Sequence, residues 1–301
     1  MNRTAICRVA AAAALLAAAV GFAAPLVAQD PEVKPQPTVP ATVVAAMRAA
    51  EAAAAAVDLA METSGRMAGG LTFVARGSVR VLRAEQSAPA RTHTVVDYEF
   101  GDGLTGRVET VQTEEGILTL QQDPTFGETF VRIDAATCKD LEWAAAASPD
   151  DEVPFQSGPR AGSPLGADLF ADLSVRFDLR SVDKALPEGM QGTWWAGDRK
   201  QMPGGDAEAA DLPVADRVEA FVRDDWVLMD VQYVSKGEVV QRVRLQKAVL
   251  GGEIPKDGFR INAGGKQPVA AKDHPPTWQQ IEQALQRASE KKGGELPPSR
   301  R

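Results

Sequence analysis

Cysteine is scarce in this chain: two cysteines among 301 residues, Cys7 and Cys138, exclude a disulfide-built scaffold. Stability must therefore come from packing of the apolar residues, which make up 44% of the sequence. Cys138 lies in a segment predicted to be helical. It is either a reactive thiol or a small apolar residue that packs on the helix. No histidine lies nearby to activate it, which favours the second interpretation.

Histidine is equally scarce, and the two imidazoles leave little material for a His-built metal site. His93 shares a strand face with Asp97 and Glu99, but Cα atoms four residues apart on a strand are separated by about 13 Å. We therefore expect a solvated polar face there, and an exposed His274 in a loop. The chain has neither a G-x-S-x-G nor a C-x-x-C motif, so serine-hydrolase and dithiol signatures are absent, whereas a carboxylate pair brought together from two strands stays open.

Positive charge is in deficit, with 33 basic against 41 acidic residues and a net charge of −8. This balance argues against nucleic-acid binding, which usually needs a basic face. The segment 101–106 matches G-x-G-x-x-G, but a dinucleotide site needs a helix after the glycines. Residues 107–111 alternate like a strand instead, so the motif predicts a hairpin turn.

Long apolar runs are absent except at the N-terminus. Arg3 and Arg8 precede an Ala-rich stretch, and Ala28 is a small residue before a cleavage point. Residues 1–28 therefore predict a secretory signal peptide, with an uncleaved anchor as the alternative. Cys7 precedes the apolar run, which excludes it as the acylated cysteine of a lipoprotein signal. We expect a periplasmic or secreted protein that is soluble after cleavage.

Residues 29–40 contain four prolines and predict an extended tether. Residues 41–64 are rich in alanine and contain no proline or glycine, which predicts one long helix. Its apolar stripe has alternating spacings of four and three residues and comprises Val43, Met47, Ala50, Ala54, Val57 and Met61.

The period then changes from that of a helix to that of a strand. Five antiparallel strands are predicted near residues 71–81, 94–100, 104–111, 117–122 and 126–133. A helix with Asp134 as its N-cap follows at 134–148, then a polar loop at 149–163 and a short helix at 164–171. Further strands are predicted at 173–179, 191–198, 214–223, 226–234 and 239–249, with a last short one at 259–261, and a polar loop at 199–212.

The C-terminal segment has a different pattern. Thr277 and Gln280 form a capping box, and Trp278, Ile281, Leu285 and Ala288 form a helical stripe. This helix either docks a partner or packs back on its own domain, and residues 293–301 are expected to be disordered. The predicted organisation is one domain at 41–262 followed by a loop, helix and tail at 263–301. Its fold class is α+β, a large curved antiparallel sheet (an incomplete β-barrel) with an N-terminal helix and inserted helices on the concave face.

Several segments resemble the LolA/LolB family of lipoprotein carriers. Pro164-Leu-Gly-Ala-Asp-Leu-Phe170 is similar to the segment that enters the second half of that family's sheet. Residues 226–238, 243–249 and 253–259 (WVLMDVQYVSKGE, VRLQKAV and EIPKDGF) resemble its terminal hairpin and final "I-P…F" strand. The resemblance covers residues 41–261 and implies an incomplete barrel with a helical lid over an apolar cavity for acyl chains.

The apolar phases of the strands indicate which side chains would line such a cavity. The candidate ligand-binding residues are Phe73, Tyr98, Phe100, Val175, Phe177, Met229 and Tyr233; the alternative is that they fill a solid core. The leading hypothesis is a non-enzymatic exported protein that binds a lipid or the acyl chains of a lipoprotein, without cofactor, metal or catalytic residues. The alternatives are an interaction or sensor module that engages an envelope protein, and a hydrolase with loop carboxylates.

Overall fold

The computed structural model describes residues 41–67, 69–83, 91–123, 127–147, 165–200 and 215–300. The predicted signal peptide, the tether and the polar loop at 149–163 lie outside these ranges. Within them, none of the helices combines the length and hydropathy that a membrane-crossing helix needs. Helices α1 to α4 span Ala41–Ala53, Ala135–Ala147, Ala167–Arg176 and Pro275–Lys291.

The strands form one sheet that is curved and open, as predicted. Strands β1 to β12 span Ala56–Arg66, Thr72–Leu82, Arg91–Phe100, Thr105–Thr113, Gly116–Asp123, Gly127–Asp134, Arg180–Val182, Gly192–Asp198, Arg217–Arg223, Leu228–Ser235, Glu238–Leu250 and Val269–Ala270. Their order is β12-β6-β5-β4-β3-β2-β1-β11-β10-β9-β8-β7. All pairs are antiparallel except β12 with β6, and the β1–β11 pair joins the two halves.

The two faces of the sheet differ in polarity. Strand register aligns one row of side chains across six strands, namely Leu59, Val79, Thr94, Thr110, Thr119 and Val131. This face, called the inner face below, carries the helices. The outer face carries cross-strand ion pairs such as Glu62–Arg76 at 2.8 Å and Asp97–Arg107 at 3.0 Å. Such exposed pairs contribute little stability. Leu59, Val79 and Val131 of the inner row are buried, so this part of the core lies on the inner side.

Helices cover the two flanks of the inner face. On one flank, α1 and α3 pack against β9–β11 through residues such as Met47 and Phe170. On the other flank, α2 and α4 pack together with the inner side chains of β5 and β6. The stripe predicted on α4 is used here, because Ile281, Leu285 and Ala288 are buried against this flank.

The predicted hairpins are confirmed where turn chemistry is strong. All five strands between residues 71 and 134 are present, and the G-x-G-x-x-G segment is the β3–β4 turn, with Gly103 at φ 84°. Asp134 caps α2, since its Oδ1 accepts the Thr137 N–H at 2.8 Å. Lys236 and Gly237 both have positive φ, as a tight β10–β11 turn requires.

The single helix predicted for residues 41–64 is wrong. The helix ends at Ala53, and residues 56–66 form β1. Val57, Leu59 and Met61 alternate with Asp58, Ala60 and Glu62, so a strand also buries one apolar face. Pairing with both β2 and β11 satisfies the backbone of this central strand, which outweighs the helix propensity of alanine.

The strand predicted at 173–179 is also wrong. Helix α3 continues to Arg176, and only residues 180–182 form a strand; Phe177 makes an isolated bridge. Ala167, Phe170 and Leu173 have helical spacing and are buried on one side of α3. That stripe was hidden by the equally regular alternation of residues 173–179.

Three features of the C-terminal segment differ from prediction. Residues 256–259 form a 3₁₀ turn instead of a strand at 259–261, and α4 begins at Pro275 with His274 as its N-cap. Thr277 is therefore inside the helix, where its Oγ1 bonds His274 Nδ1 at 2.8 Å. The tail is ordered on α2, since the Ser299 N–H donates to Asp140 Oδ1 at 2.9 Å.

Candidate apolar binding site

Four of the seven predicted lining residues lie in one apolar cluster. Phe73, Tyr98, Phe100 and Met229 belong to it, and none is more than 4% exposed. Phe73 and Phe100 are register partners on neighbouring strands, and Tyr98 meets Phe100 edge-on at 5.9 Å between ring centroids. This group, the central cluster, occupies the inner face between the two helix-covered flanks.

The remaining three predicted residues are placed elsewhere. Phe177 is buried and Tyr233 partly buried in the flank cluster under α3, and burial raises the pKa of Tyr233 to about 12. Val175 is 40% exposed on α3. The prediction for Val175 and Phe177 assumed a strand. Because residues 167–176 form a helix with Phe177 as its C-cap, these two side chains do not share the strand face that was expected. The structure therefore unites the β2–β3 aromatics with Met229 but not with these three.

Tyr98 brings a polar atom into the central cluster. Its hydroxyl donates to Asp123 Oδ2 at 3.0 Å, and both residues are buried. Burial and the Asp123 carboxylate raise the pKa of Tyr98, so the hydroxyl stays protonated. The ring lies over Gly106, where an added Cβ would come within 2.2 Å of the Tyr98 hydroxyl.

Little helical cover packs against the central cluster. Among the described residues, Ala50 at the end of α1 is the helical side chain that packs against it. The other members come from strands and from turns that include Ala54 and Leu165. The middle of the inner face is thus an apolar strip on β1–β3 between two helical flanks, called the inner strip below.

Glu51 anchors the start of α3 beside the inner strip. Its Oε1 accepts the N–H groups of Leu165 at 2.9 Å and of Ala167 at 3.4 Å. These N–H groups are at a helix N-terminus, where a carboxylate is stabilised. Burial raises the pKa of Glu51, with the two backbone bonds opposing that rise. The sequence carried no signal for this contact beyond an acid in an Ala-rich helix.

A small apolar void lies beneath α3. Its volume is about 20 Å³, close to one water molecule. It is lined by Met61, Leu165, Gly166, Leu169, Leu228, Val231, Val243 and Leu245. Nearby, the fully buried Thr63 hydroxyl has no hydrogen-bond partner within the described residues. The junction of strip and α3 is thus incompletely packed.

The outer face carries a larger cleft that sequence reasoning missed. Its volume is about 640 Å³, and it crosses β2 to β6. Its lining includes four acids, Asp97, Glu99, Asp123 and Glu128, and two bases, Arg76 and Arg107. Four acids against two bases make the lining acidic by formal charge; Glu128 is paired with Lys266, Asp97 with Arg107, and Arg76 with Glu62 outside the lining. Alternating charges on single strands did not reveal it, since they occur on any solvated face.

His93 is buried, which corrects the expected solvated face. The segment 254–259 covers it: Nδ1 lies 2.7 Å from the Gly258 carbonyl oxygen, and Nε2 lies 2.9 Å from Glu109 Oε1. Asp97 and Glu99 lie on the same face further along β3, where they line the outer cleft. In the described part of the chain, no three His, Cys, Asp or Glu side chains are grouped closely enough to hold a metal ion.

Cys138 is partly buried on α2, and its Sγ points toward the Ile133 carbonyl at 3.9 Å. Burial raises the pKa of the thiol to about 12, and the nearby Asp134 and Glu142 act in the same direction. A thiol that resists ionisation is a poor nucleophile. Cys138 therefore has the environment of a packing residue.

No family model matches this sequence, and no curated protein matches it. Solved structures with a similar fold include the Pseudomonas aeruginosa MucA/MucB complex (TM-score 0.39, 11% identity, 74% of this chain and 60% of that one). LprF from Mycobacterium bovis gives a TM-score of 0.37 at 9% identity, with 73% and 95% of the two chains covered. The LolA superfamily protein NE2245 from Nitrosomonas europaea gives 0.25 at 7% identity, with 73% and 97% covered.

The identities of 7% to 11% and the TM-scores of 0.25 to 0.39 show that any similarity is distant and concerns the fold alone. The chain spans about 60% of the length of the matched MucA/MucB chain. One of the three structures is described as a LolA superfamily protein.

Proposed function

We propose that this chain is a non-enzymatic protein of the cell envelope that binds an apolar chain, a lipid or the acyl chain of a lipoprotein, on the inner strip. The predicted signal peptide supports the location. The observation that carries the proposal is the arrangement of the inner face, where large apolar side chains occupy a strip between two helical flanks. An acyl chain needs an extended apolar surface of this kind.

The strip is closed in this structure, since Phe73, Tyr98 and Phe100 are buried. Binding therefore requires movement at its border. Leu165 belongs to the central cluster, and Glu51 holds its N–H at the start of α3. The void of about 20 Å³ lies at this same junction. In this proposal an apolar chain enters between α3 and the sheet and enlarges that void.

The test is displacement of a fluorescent fatty acid from purified protein, with paired variants. Phe73→Ala removes a ring from the strip, whereas Leu141→Ala removes a comparable buried side chain from the far flank. Both are expected to lower the unfolding free energy by about 3–4 kcal/mol. Only Phe73→Ala should weaken fatty-acid affinity, by about tenfold, since the lost contact is worth about 1.5 kcal/mol or more.

Equal affinities in the two variants would contradict the proposal, because binding would then follow stability and not the strip. Absence of fatty-acid binding by the parent chain would contradict it directly. Because both variants are expected to lose the same unfolding free energy, a difference in fatty-acid affinity between them cannot result from general unfolding.

A second candidate is an interaction module, and the acidic outer cleft favours it. A cleft of about 640 Å³ with excess carboxylates fits a basic segment of a partner protein. The carboxylate of Glu99 makes no hydrogen bond or ion pair within the described residues and remains available. Glu99→Lys should then abolish binding of a lysine-rich test peptide, while Glu253→Lys on the exposed segment after β11 should not. Equal binding by both variants would exclude the cleft.

A further inference from the structure

One end of the sheet gathers exposed apolar side chains. Of the eight large hydrophobic residues that are exposed in the described ranges, four lie here: Val182, Leu186, Trp226 and Val249. They come from the end of β7, the β7–β8 connection, the β9–β10 turn and the end of β11. Backbone and side-chain bonds hold these segments together: Asp224 N–H donates to the Gln191 carbonyl at 3.1 Å, and Arg223 Nη2 to the Ala248 carbonyl at 3.5 Å.

Trp226 has a strained backbone at the tip of this end. Its φ is 68°, in the left-handed region, and its N–H donates to the Arg223 carbonyl at 2.9 Å. In this hairpin geometry the position after the turn is normally glycine or asparagine. Trp226 is also 40% exposed, so two fifths of its surface remains available to a surface outside the chain. A positive φ at a partly exposed tryptophan is an outlier from which we infer a role outside the folded core.

The charges around Trp226 identify the kind of surface that it fits. Arg223 is engaged by Asp225 through two bonds of 2.6 Å, and Lys184 by Glu219 at 2.6 Å. The carboxylate of Asp224 makes no hydrogen bond or ion pair within the described residues, and the full sequence has a net charge of −8. Among the described residues, the cations beside the tip, Arg223 and Lys184, are already paired, so this end gains little from an anionic membrane. A bilayer of zwitterionic lipids suits it better, because tryptophan prefers the membrane–water interface.

The tip is continuous with the inner strip. Val227 directly follows Trp226, is fully buried, and belongs to the central cluster, as does Met229 two residues further on. An apolar path of adjacent residues thus leads from the exposed tryptophan into the cluster that contains Phe73 and Phe100.

We propose that the turn Arg223–Val227 docks this protein on a zwitterionic lipid bilayer, with the Trp226 ring entering the interface. The proposal rests on the proposed function, because it gives the source from which an apolar chain would pass to the strip. The surface that is recognised is a bilayer, and a protein partner at this end is the alternative outcome of the test.

The experiment measures flotation of the full chain with phosphatidylcholine vesicles and quenching of tryptophan fluorescence by brominated phosphatidylcholine. Trp226→Gly accepts the positive φ and removes the ring, so the chain should stay folded, as thermal unfolding checks, and its vesicle affinity should fall at least tenfold. Trp226→Asn should do the same. The matched control is Lys236→Gly, because Lys236 is the other non-glycine residue with positive φ among those described (52°) and also lies in a hairpin turn.

Lys236→Gly should raise Tm without changing vesicle affinity. The proposal is supported if both Trp226 variants lose flotation and Lys236→Gly does not. This result would stand even if the inner strip bound no fatty acid, because that second finding would contradict only the proposed function. Unchanged flotation of Trp226→Gly, stronger binding to phosphatidylglycerol than to phosphatidylcholine vesicles, or no flotation of the parent chain would overturn it.

Discussion

Glu51 and Leu165 are 114 residues apart in sequence, yet the Glu51 carboxylate accepts the Leu165 N–H at 2.9 Å. The contact ties the N-terminal helix to the start of α3 and sits beside the inner strip. It also satisfies backbone donors that a helix N-terminus leaves free. A single buried carboxylate therefore links the two elements that border the proposed binding surface.

Removal of this carboxylate should destabilise the protein. Glu51→Ala removes the acceptor of the buried Leu165 N–H, at a cost of about 1–3 kcal/mol. Urea unfolding at pH 7 checks this value. Glu51→Gln keeps one acceptor oxygen and should cost less. A larger loss for the glutamine variant than for alanine would contradict the assigned role.

The pH dependence of this site follows from the raised pKa of Glu51. Burial lifts that pKa above its ordinary value of 4.5, so the folded state holds the proton more tightly than the unfolded chain. The stability that this group contributes is present below pH 4.5 and is lost as pH rises through the raised folded pKa. The unfolding free energy of the parent minus that of Glu51→Gln should therefore fall with rising pH above 4.5. A rise over that window would contradict the burial argument.

Close packing of Tyr98 over Gly106 gives a second stability prediction. Gly106→Ala places a Cβ about 2.2 Å from the Tyr98 hydroxyl and should cost about 1–3 kcal/mol. Gly252→Ala is the matched control, since its nearest contact is 3.3 Å and neither glycine has a positive φ. Thermal unfolding compares them. Equal Tm values for the two variants would show that Tyr98 does not lie over Gly106.

His93 should hold the segment 254–259 against the outer face. His93→Leu removes the contacts with Gly258 and Glu109 and should cost about 2 kcal/mol. Proteolysis between residues 251 and 262 should become faster than in the parent. His274→Ala is the control, because it loses only the Thr277 contact. If both variants are cleaved alike, His93 is not the residue that holds this segment.

Cys138 should be inert in the folded protein. With a thiol pKa near 12, the thiolate fraction at pH 8 is on the order of 10⁻⁴, and reaction with an aromatic disulfide reagent should be correspondingly slow. The same reagent should react rapidly in guanidinium chloride. Rapid modification of the folded chain would show that the thiol is not held as described.

Local pattern predicted the strands and turns of the first half of the sheet well. From Thr72 to Asp134 each strand has one apolar phase, and the turns contain glycines that tolerate positive φ. The pattern failed where two periods coexist. Residues 54–64 combine alanine with alternation, and residues 167–179 contain a helical stripe and an alternating one. The choice between helix and strand depends on tertiary contacts: β1 pairs with β2 and β11, and α3 packs its buried side on the sheet.

The candidate site was predictable to a similar extent. Phe73, Tyr98 and Phe100 share an apolar phase on adjacent strands, so their union follows from register. Glu51, the acidic cleft and the strained Trp226 could not be predicted. Each depends on segments that are distant in sequence or on a backbone angle that residue type does not encode.

The central claim, that an apolar chain binds the inner strip, is tested most directly by mass spectrometry of an organic extract of the protein purified without detergent from its own envelope. The account predicts lipid or acyl chains at close to one per protein in the parent and in Leu141→Ala, and a large loss in Phe73→Ala. A parent protein that carries no apolar ligand, or equal recovery from all three, would contradict it.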